Sequence, residues 1–273
     1  MRGAGIFFRG REYITHTTLN LESTAFFSLT SMQKLVLALI TLTTFYWMLN
    51  DILRTIAAIL AILSTIYFLD VVFNLFLIVK SLSSSPDIKF AEGEIMGIND
   101  DNLPLYTILC PLYREAKVVW RFLKAIDALD WPKEKLDVIL LLEENDQETI
   151  AEVAKQRLPD FIRVAIVPYS IPKTKPKACN FGLSLARGDF LVIYDAEDEP
   201  EPLQLKKAYL GFEKVPRDVI CLQAKLNYYN PDQNILTRLF TSEYSLWFDV
   251  ILCGLQILET AIPLGGTSNH FRV

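Results

Sequence analysis

The sequence predicts an α/β chain: a mostly parallel sheet covered by helices, preceded by a hairpin of two membrane-spanning helices. Three observations predict it. Apolar runs long enough for a bilayer are confined to the first third of the chain. From residue 104 onward, short apolar runs alternate with amphipathic stretches, the pattern of repeated β-α units. Acidic clusters recur where those apolar runs end.

Residues 1–30 read as an N-terminal tail and 31–80 as the hairpin. Leu35 to Leu49 is apolar or Thr throughout, Asn50-Asp51 and Arg54 break the run, and Thr55 to Val79 is again largely apolar. A bilayer core of roughly 30 Å takes about 20 helical residues. The second run meets that length with Asp70 and Asn74 inside it. Phe26 to Leu29 and Met32 extend the first, with Lys34 snorkelling toward headgroups. A cleavable signal is disfavoured, because the apolar stretch begins late and a second follows at once. The competing reading is a pair of buried helices in a soluble protein. Arg2, Arg9, Arg11 and Lys34 precede the hairpin and Lys80 and Lys89 follow it, against Arg54 alone in the turn. The positive-inside rule then puts both ends in the cytoplasm. Asp70 either pairs with a polar group in the membrane or lies near an interface.

Residues 81–103 are rich in Ser, Asp and Gly and read as a linker. Strands are expected at Leu105–Cys110, Leu136–Leu142, Phe161–Val167, Phe190–Tyr194 and Val219–Ala224. Helices are expected at Glu115–Leu129, Gln147–Arg157, Ala178–Arg187 and Leu203–Lys214, with Gly188 ending the third. These form one domain over 104–231. Residues 232–273 hold a further helical stretch, Asn234 to Leu258, either an ordinary core helix or an interfacial one with Trp247 and Phe248 on its apolar side.

Charge narrows the function classes. The 273 residues carry 27 basic and 32 acidic side chains, a net −5, so no nucleic acid is expected as partner. Cys110, Cys179, Cys221 and Cys253 are scattered without zinc or redox spacing and read as reduced thiols.

In open parallel sheets ligands bind beyond the carboxyl ends of the strands. Those ends carry Pro111-Leu112-Tyr113-Arg114-Glu115, Glu143-Glu144-Asn145-Asp146 and Asp195-Ala196-Glu197-Asp198, and a basic loop Lys173–Lys177 leads to Asn180. Converging carboxylates repel unless a cation sits among them. Asp195 and Glu197, two apart at the end of an extended segment, would point to one side. Two such hard oxygen ligands suit Mg²⁺ or Mn²⁺ on a diphosphate. A single acidic strand end is ordinarily a solvated loop or helix cap; the conjunction points to a metal–nucleotide site.

The segments PLYREAKVV, LLLEENDQET, KPKACNFGLSLARGDFLVIYDAEDEPEP and PLGGTSNHFR resemble, in order and spacing, the family 2 glycosyltransferases with a GT-A fold. Within these the chain is similar to the membrane-anchored processive type of cellulose and hyaluronan synthases and bacterial exopolysaccharide enzymes. The resemblance implies inverting, metal-assisted sugar transfer from a UDP-sugar to a glycan acceptor. It implies an integral protein of a bacterial inner membrane with its GT-A domain in the cytoplasm. Pro111, Tyr113 and Glu115 correspond to the first nucleotide-binding segment, and Glu143 to the acid that recognises the base. Lys177 and Asn180 match a Lys-Ala-x-Asn segment near the nucleotide. Asp195 and Glu197 stand at the metal motif, Glu replacing the usual Asp. Gly265, Gly266, Thr267 and Ser268 match the loop bordering acceptor and donor diphosphate, and Asn234–Leu258 the segment that lies on the membrane surface.

The resemblance places the catalytic base beyond Val273, so no catalytic residue is expected here, and a second polypeptide is one way to supply it. His270 reads as a solvated or loop-packing residue and Asp249 as a surface charge rather than as substitutes. The expectation is a donor half whose turnover alone is impaired or absent. One alternative is an inactive membrane-anchored remnant or partner subunit. The other, a nucleotidyltransferase, ranks last because no glycine-rich loop follows the first strand.

Overall fold

The computed structural model describes residues 6–8, 11–13, 29–170 and 173–273. Arg2, Arg9 and the proposed extension at Phe26 lie outside the described residues. The chain divides into two compact units, Met1–Val79 and Lys80–Val273.

The first unit begins with a short antiparallel pair, β1 (Ile6–Phe8) and β2 (Arg11–Tyr13). Helix α1 (Ser31–Asn50) starts at a capping box: the Thr30 hydroxyl accepts the Gln33 amide, and the Gln33 side chain accepts the Thr30 amide. It stops at Asp51, whose carboxylate accepts the Arg54 amide and opens α2 (Ile52–Ser83). That helix runs past the predicted end of the hairpin. Both helices are long and apolar enough to cross a membrane. The Asn74 side-chain amide bonds back to the Asp70 carbonyl, so its polarity is satisfied within the helix.

The second unit contains a six-stranded sheet in the order β5-β4-β3-β6-β8-β7. Strands β3 (Tyr106–Leu112), β4 (Leu136–Glu143), β5 (Ile162–Val167) and β6 (Phe190–Ile193) are mutually parallel. The helices between them are α4 (Val119–Asp127), α5 (Gln147–Lys155) and α6 (Lys175–Leu185), and α7 (Gln204–Lys214) follows β6. Every residue of β4 is buried, which explains its unbroken apolar run. Edge strand β5 alternates instead. Tyr106, Phe122, Ile126 and Trp131 form the centre of the core with Phe190 and Phe212. Truncating a fully buried ring such as Phe122 to Ala costs roughly 3–5 kcal/mol.

The expected linker contains a short helix, α3 (Glu92–Met96), and a single 3₁₀ turn at Asp100–Asn102. Helix α4 begins four residues later than predicted. Arg114 has a positive φ of 60° and the chain turns through Glu115–Val118 before becoming helical. Helix α6 begins three residues earlier, because Pro176 in a first turn forfeits no intrahelical hydrogen bond. The stretch Asn234–Leu258 is interrupted: α8 (Ile235–Ser245) and α9 (Leu252–Ile257) flank a π-helical turn at Leu246–Ile251.

The final strand, β8 (Asn269–Arg272), is not among the strands the sequence predicts. It inserts antiparallel between β6 and β7 (Cys221–Gln223), so β7 reaches the sheet only through it. His270 is therefore not a solvated terminal residue. It is buried, with Nδ1 2.7 Å from the Tyr106 hydroxyl, and burial holds its pKa down at about 3.

Candidate functional site

The connections reverse direction between β3 and β6: from β3 the chain winds outward through β4 and β5, then returns to β6 on the other side. Such a switch point leaves a crevice beyond the strand ends. A cleft there is lined by Pro111 near the end of β3, Tyr113 and Glu115 after it, Glu143 at the end of β4, Lys175 on α6 and Asp195 after β6.

The turn after β3 is held by the N-terminus of α5. Asp146 caps α5 through the Thr149 amide and also accepts the Arg114 amide, fixing the positive-φ turn. Burial pushes the Asp146 carboxyl up, but the Arg114 and Thr149 donors outweigh it and hold its pKa below the usual range. The Glu115 amide donates to the Thr149 hydroxyl at 3.3 Å. Glu144 turns outward and accepts the Tyr169 amide at 2.9 Å.

The predicted basic loop is in part helix, and this supplies the cleft with cations. Lys175 and Lys177 sit in the first turn of α6. Lys177 Nζ lies 2.7 Å from Glu143 Oε2, while Lys175 Nζ donates to Asp195 Oδ1 and to the Gly266 carbonyl. The acidic strand ends are thus partly neutralised by ammonium groups within the fold. Asn180 is exposed further along α6 and does not line the cleft.

The Asp195–Asp198 segment is a turn, not an extension: the Asp198 amide bonds the Asp195 carbonyl at 3.1 Å. Alternation along an extended strand therefore does not relate Asp195 to Glu197. Ala196 is buried between a part-buried Asp195 and an exposed Glu197. The Gly265–Ser268 loop is tied to this turn. The Thr267 hydroxyl donates to the Asp198 carboxylate and accepts the Asp195 amide, and the Ser268 amide reaches the Ile193 carbonyl at 2.8 Å. Ser268 has a positive φ of 55° and the Gly265 amide donates to Gln223 Oε1 at 2.8 Å, so the loop is locked at both ends.

Glu115 is the site's most perturbed carboxyl. Burial, and then the charges of Glu197 and Asp195, push its pKa up to about 7 against the opposing effects of the Tyr113 backbone hydrogen bond and of Lys175. Its Oε2 is buried with no hydrogen-bond partner. Among the described residues no three His, Cys, Asp or Glu side chains are already gathered around one metal-sized point. The donor chemistry nevertheless fits a divalent cation: Asp195 and Glu197 offer hard oxygens, and the unpartnered Glu115 oxygen faces like charge that a cation would relieve.

Comparison with known proteins identifies the family and the fold. A family model described as glycosyl transferase family 2 matches residues 107–272. The probable glycosyltransferase YdaM of Bacillus subtilis strain 168 is 29% identical over 151 residues, 53% of this chain and 35% of that protein. The chain thus spans about a third of the length of this curated relative. The mannosyltransferase PcManGT from Pyrobaculum calidifontis, solved in complex with GDP-Man and Mn²⁺, is similar in structure with a TM-score of 0.56. The match covers 78% of this chain and 55% of that one at 18% identity, a likeness of fold.

Proposed function

The chain belongs to the family 2 glycosyl transferases, and from that premise we propose that its second unit binds the nucleotide-sugar donor of an inverting hexosyl transfer to a glycan acceptor. The observation that supports this most is the meeting of Glu143, Lys175, Glu115 and Asp195 in one cleft at the sheet's switch point. Pro111, Tyr113 and the Glu143–Lys177 pair receive the nucleoside, with uracil the expected base. Asp195 faces the sugar-nucleotide. Asp195 and Glu197 hold Mg²⁺ or Mn²⁺, which when bound supplies charge stabilisation to the departing diphosphate. Lys175 adds positive charge beside that diphosphate, and the Gly265–Ser268 loop borders it on the acceptor side.

None of these residues is offered as the base that deprotonates the acceptor. His270 is buried in the sheet against Tyr106 and does not reach the cleft. The alternative is an inactive membrane-anchored remnant or partner subunit that binds nucleotide weakly or not at all, and donor binding by the chain separates the two.

The first unit is the membrane anchor in this proposal. Lys34, Lys80 and Lys89 flank the hairpin, against Arg54 alone at the start of α2, which favours cytoplasmic ends. Helix α8 and the turn after it expose Ile235, Leu236, Leu239, Phe240 and Trp247, a surface suited to lying against lipid.

The test is a melting series on detergent-solubilised protein with UDP, GDP and ADP, each with Mn²⁺. A ligand at about 100 times its Kd stabilises by roughly 2.7 kcal/mol. Stabilisation by UDP above ADP supports the reading, and no response to any of the three overturns it.

A further inference from the structure

The two lysines of the first turn of α6 are held differently. Lys177 and Glu143 are mostly buried, with side chains 18% and 7% exposed. Lys175 and Asp195 are 31% and 30% exposed, and the Lys175 ammonium also holds the carbonyl of Gly266 in the Gly265–Ser268 loop. A part-exposed pair of this kind is held more weakly than the buried one and can exchange partners. Its carboxylate is one of the two proposed metal ligands, and its ammonium lies among Asp195, Glu115 and the loop.

We propose that Lys175 is the resident counter-ion of the donor site, occupying Asp195 until a nucleoside diphosphate offers it another anionic partner. The inference rests on the donor-site reading and adds an order to it. A divalent cation arriving alone must displace an ammonium from Asp195 and therefore binds weakly. A diphosphate draws Lys175 away from both Asp195 and Gly266, freeing the carboxylate. Cation and nucleotide then bind with positive coupling, which is reciprocal. Lys177, buried against Glu143, stays in place through the cycle.

The experiment measures free Mn²⁺ by electron paramagnetic resonance over the full detergent-solubilised chain, alone and with saturating UDP or GDP. In the wild type, nucleotide raises Mn²⁺ affinity about tenfold, within the usual range of such couplings. Lys175→Met binds Mn²⁺ alone about tenfold more tightly than wild type and loses most of the nucleotide effect. Lys175→Arg keeps the charge and retains weak, nucleotide-dependent binding. Unchanged or weaker Mn²⁺ affinity in Lys175→Met overturns the inference, as does Lys175→Arg binding Mn²⁺ alone more tightly than wild type. Asp195→Asn separates the two levels. If it loses Mn²⁺ while Lys175→Met matches wild type, only the role of Lys175 falls. If it binds Mn²⁺ as wild type does, the metal assignment falls and the inference with it.

Discussion

Lys177 Nζ stands 2.7 Å from Glu143 Oε2, joining the first turn of α6 to the last residue of β4. The pair crosses from helix to sheet, and both side chains are largely withdrawn from water. Removing one partner leaves the other charge uncompensated, which for buried pairs costs roughly 3–5 kcal/mol. Lys177→Met is expected to approach the lower end of that range in thermal unfolding. Adding Glu143→Gln restores part of the loss, with a coupling above about 1 kcal/mol in the double-mutant cycle. Additive losses would mean that the pair is screened.

Gly188 is needed for want of space. A Cβ there would lie 2.5 Å from the Thr107 amide nitrogen and 2.6 Å from the Phe190 carbonyl, both backbone atoms that cannot move aside. At Gly211 the nearest atom is the flexible tip of Leu222 at 2.9 Å. Gly188→Ala is therefore expected to destabilise by more than about 2 kcal/mol and Gly211→Ala by less than about 1. Comparable melting temperatures for the two variants would refute the distinction.

His270 makes the second unit sensitive to acid. Its folded pKa of about 3 lies below the ordinary value of 6.5, so the unfolded chain takes up a proton first as pH falls. Stability from this group is full above pH 6.5 and is lost progressively toward pH 3, by at most about 4–5 kcal/mol. His270→Asn should flatten the stability profile over that window while lowering its plateau, since the Tyr106 hydroxyl loses its imidazole partner. A variant with the wild-type acid slope would contradict this.

Glu115 acts in the opposite direction. Its folded pKa of about 7 lies above the ordinary 4.5, so the folded state holds the proton more tightly. Stability from this group is full below pH 4.5 and is lost as pH rises through 7. Partial exposure screens the effect to about 1 kcal/mol. Glu115→Gln should remove that decline and gain stability near pH 8 when measured without metal. A gain at pH 5 as large as at pH 8 would exclude titration as the cause.

The parallel core was legible because burial on both faces leaves an unmistakable trace: β4 is apolar from Val138 to Leu142, and amphipathic helices separate the strands. The acidic strand ends were legible for the same reason, since β-α alternation places them on one edge. Strand β8 was not, because Asn269, His270 and Arg272 are polar and find their place only against distant partners such as Tyr106. Pro176 reads locally as a breaker yet sits where a helix tolerates it. Lys175 carries no local mark of its role, which depends on Gly266, 91 residues away.

The central claim is a donor cleft in which Asp195 couples a divalent cation to a nucleoside diphosphate. Calorimetric titration of the detergent-solubilised chain with UDP and GDP, with and without Mn²⁺, tests it most directly when repeated on Asp195→Ala. The account predicts binding that requires Mn²⁺ in the wild type and disappears in the variant while its melting behaviour is retained. Metal-independent binding of equal strength in both proteins would contradict it.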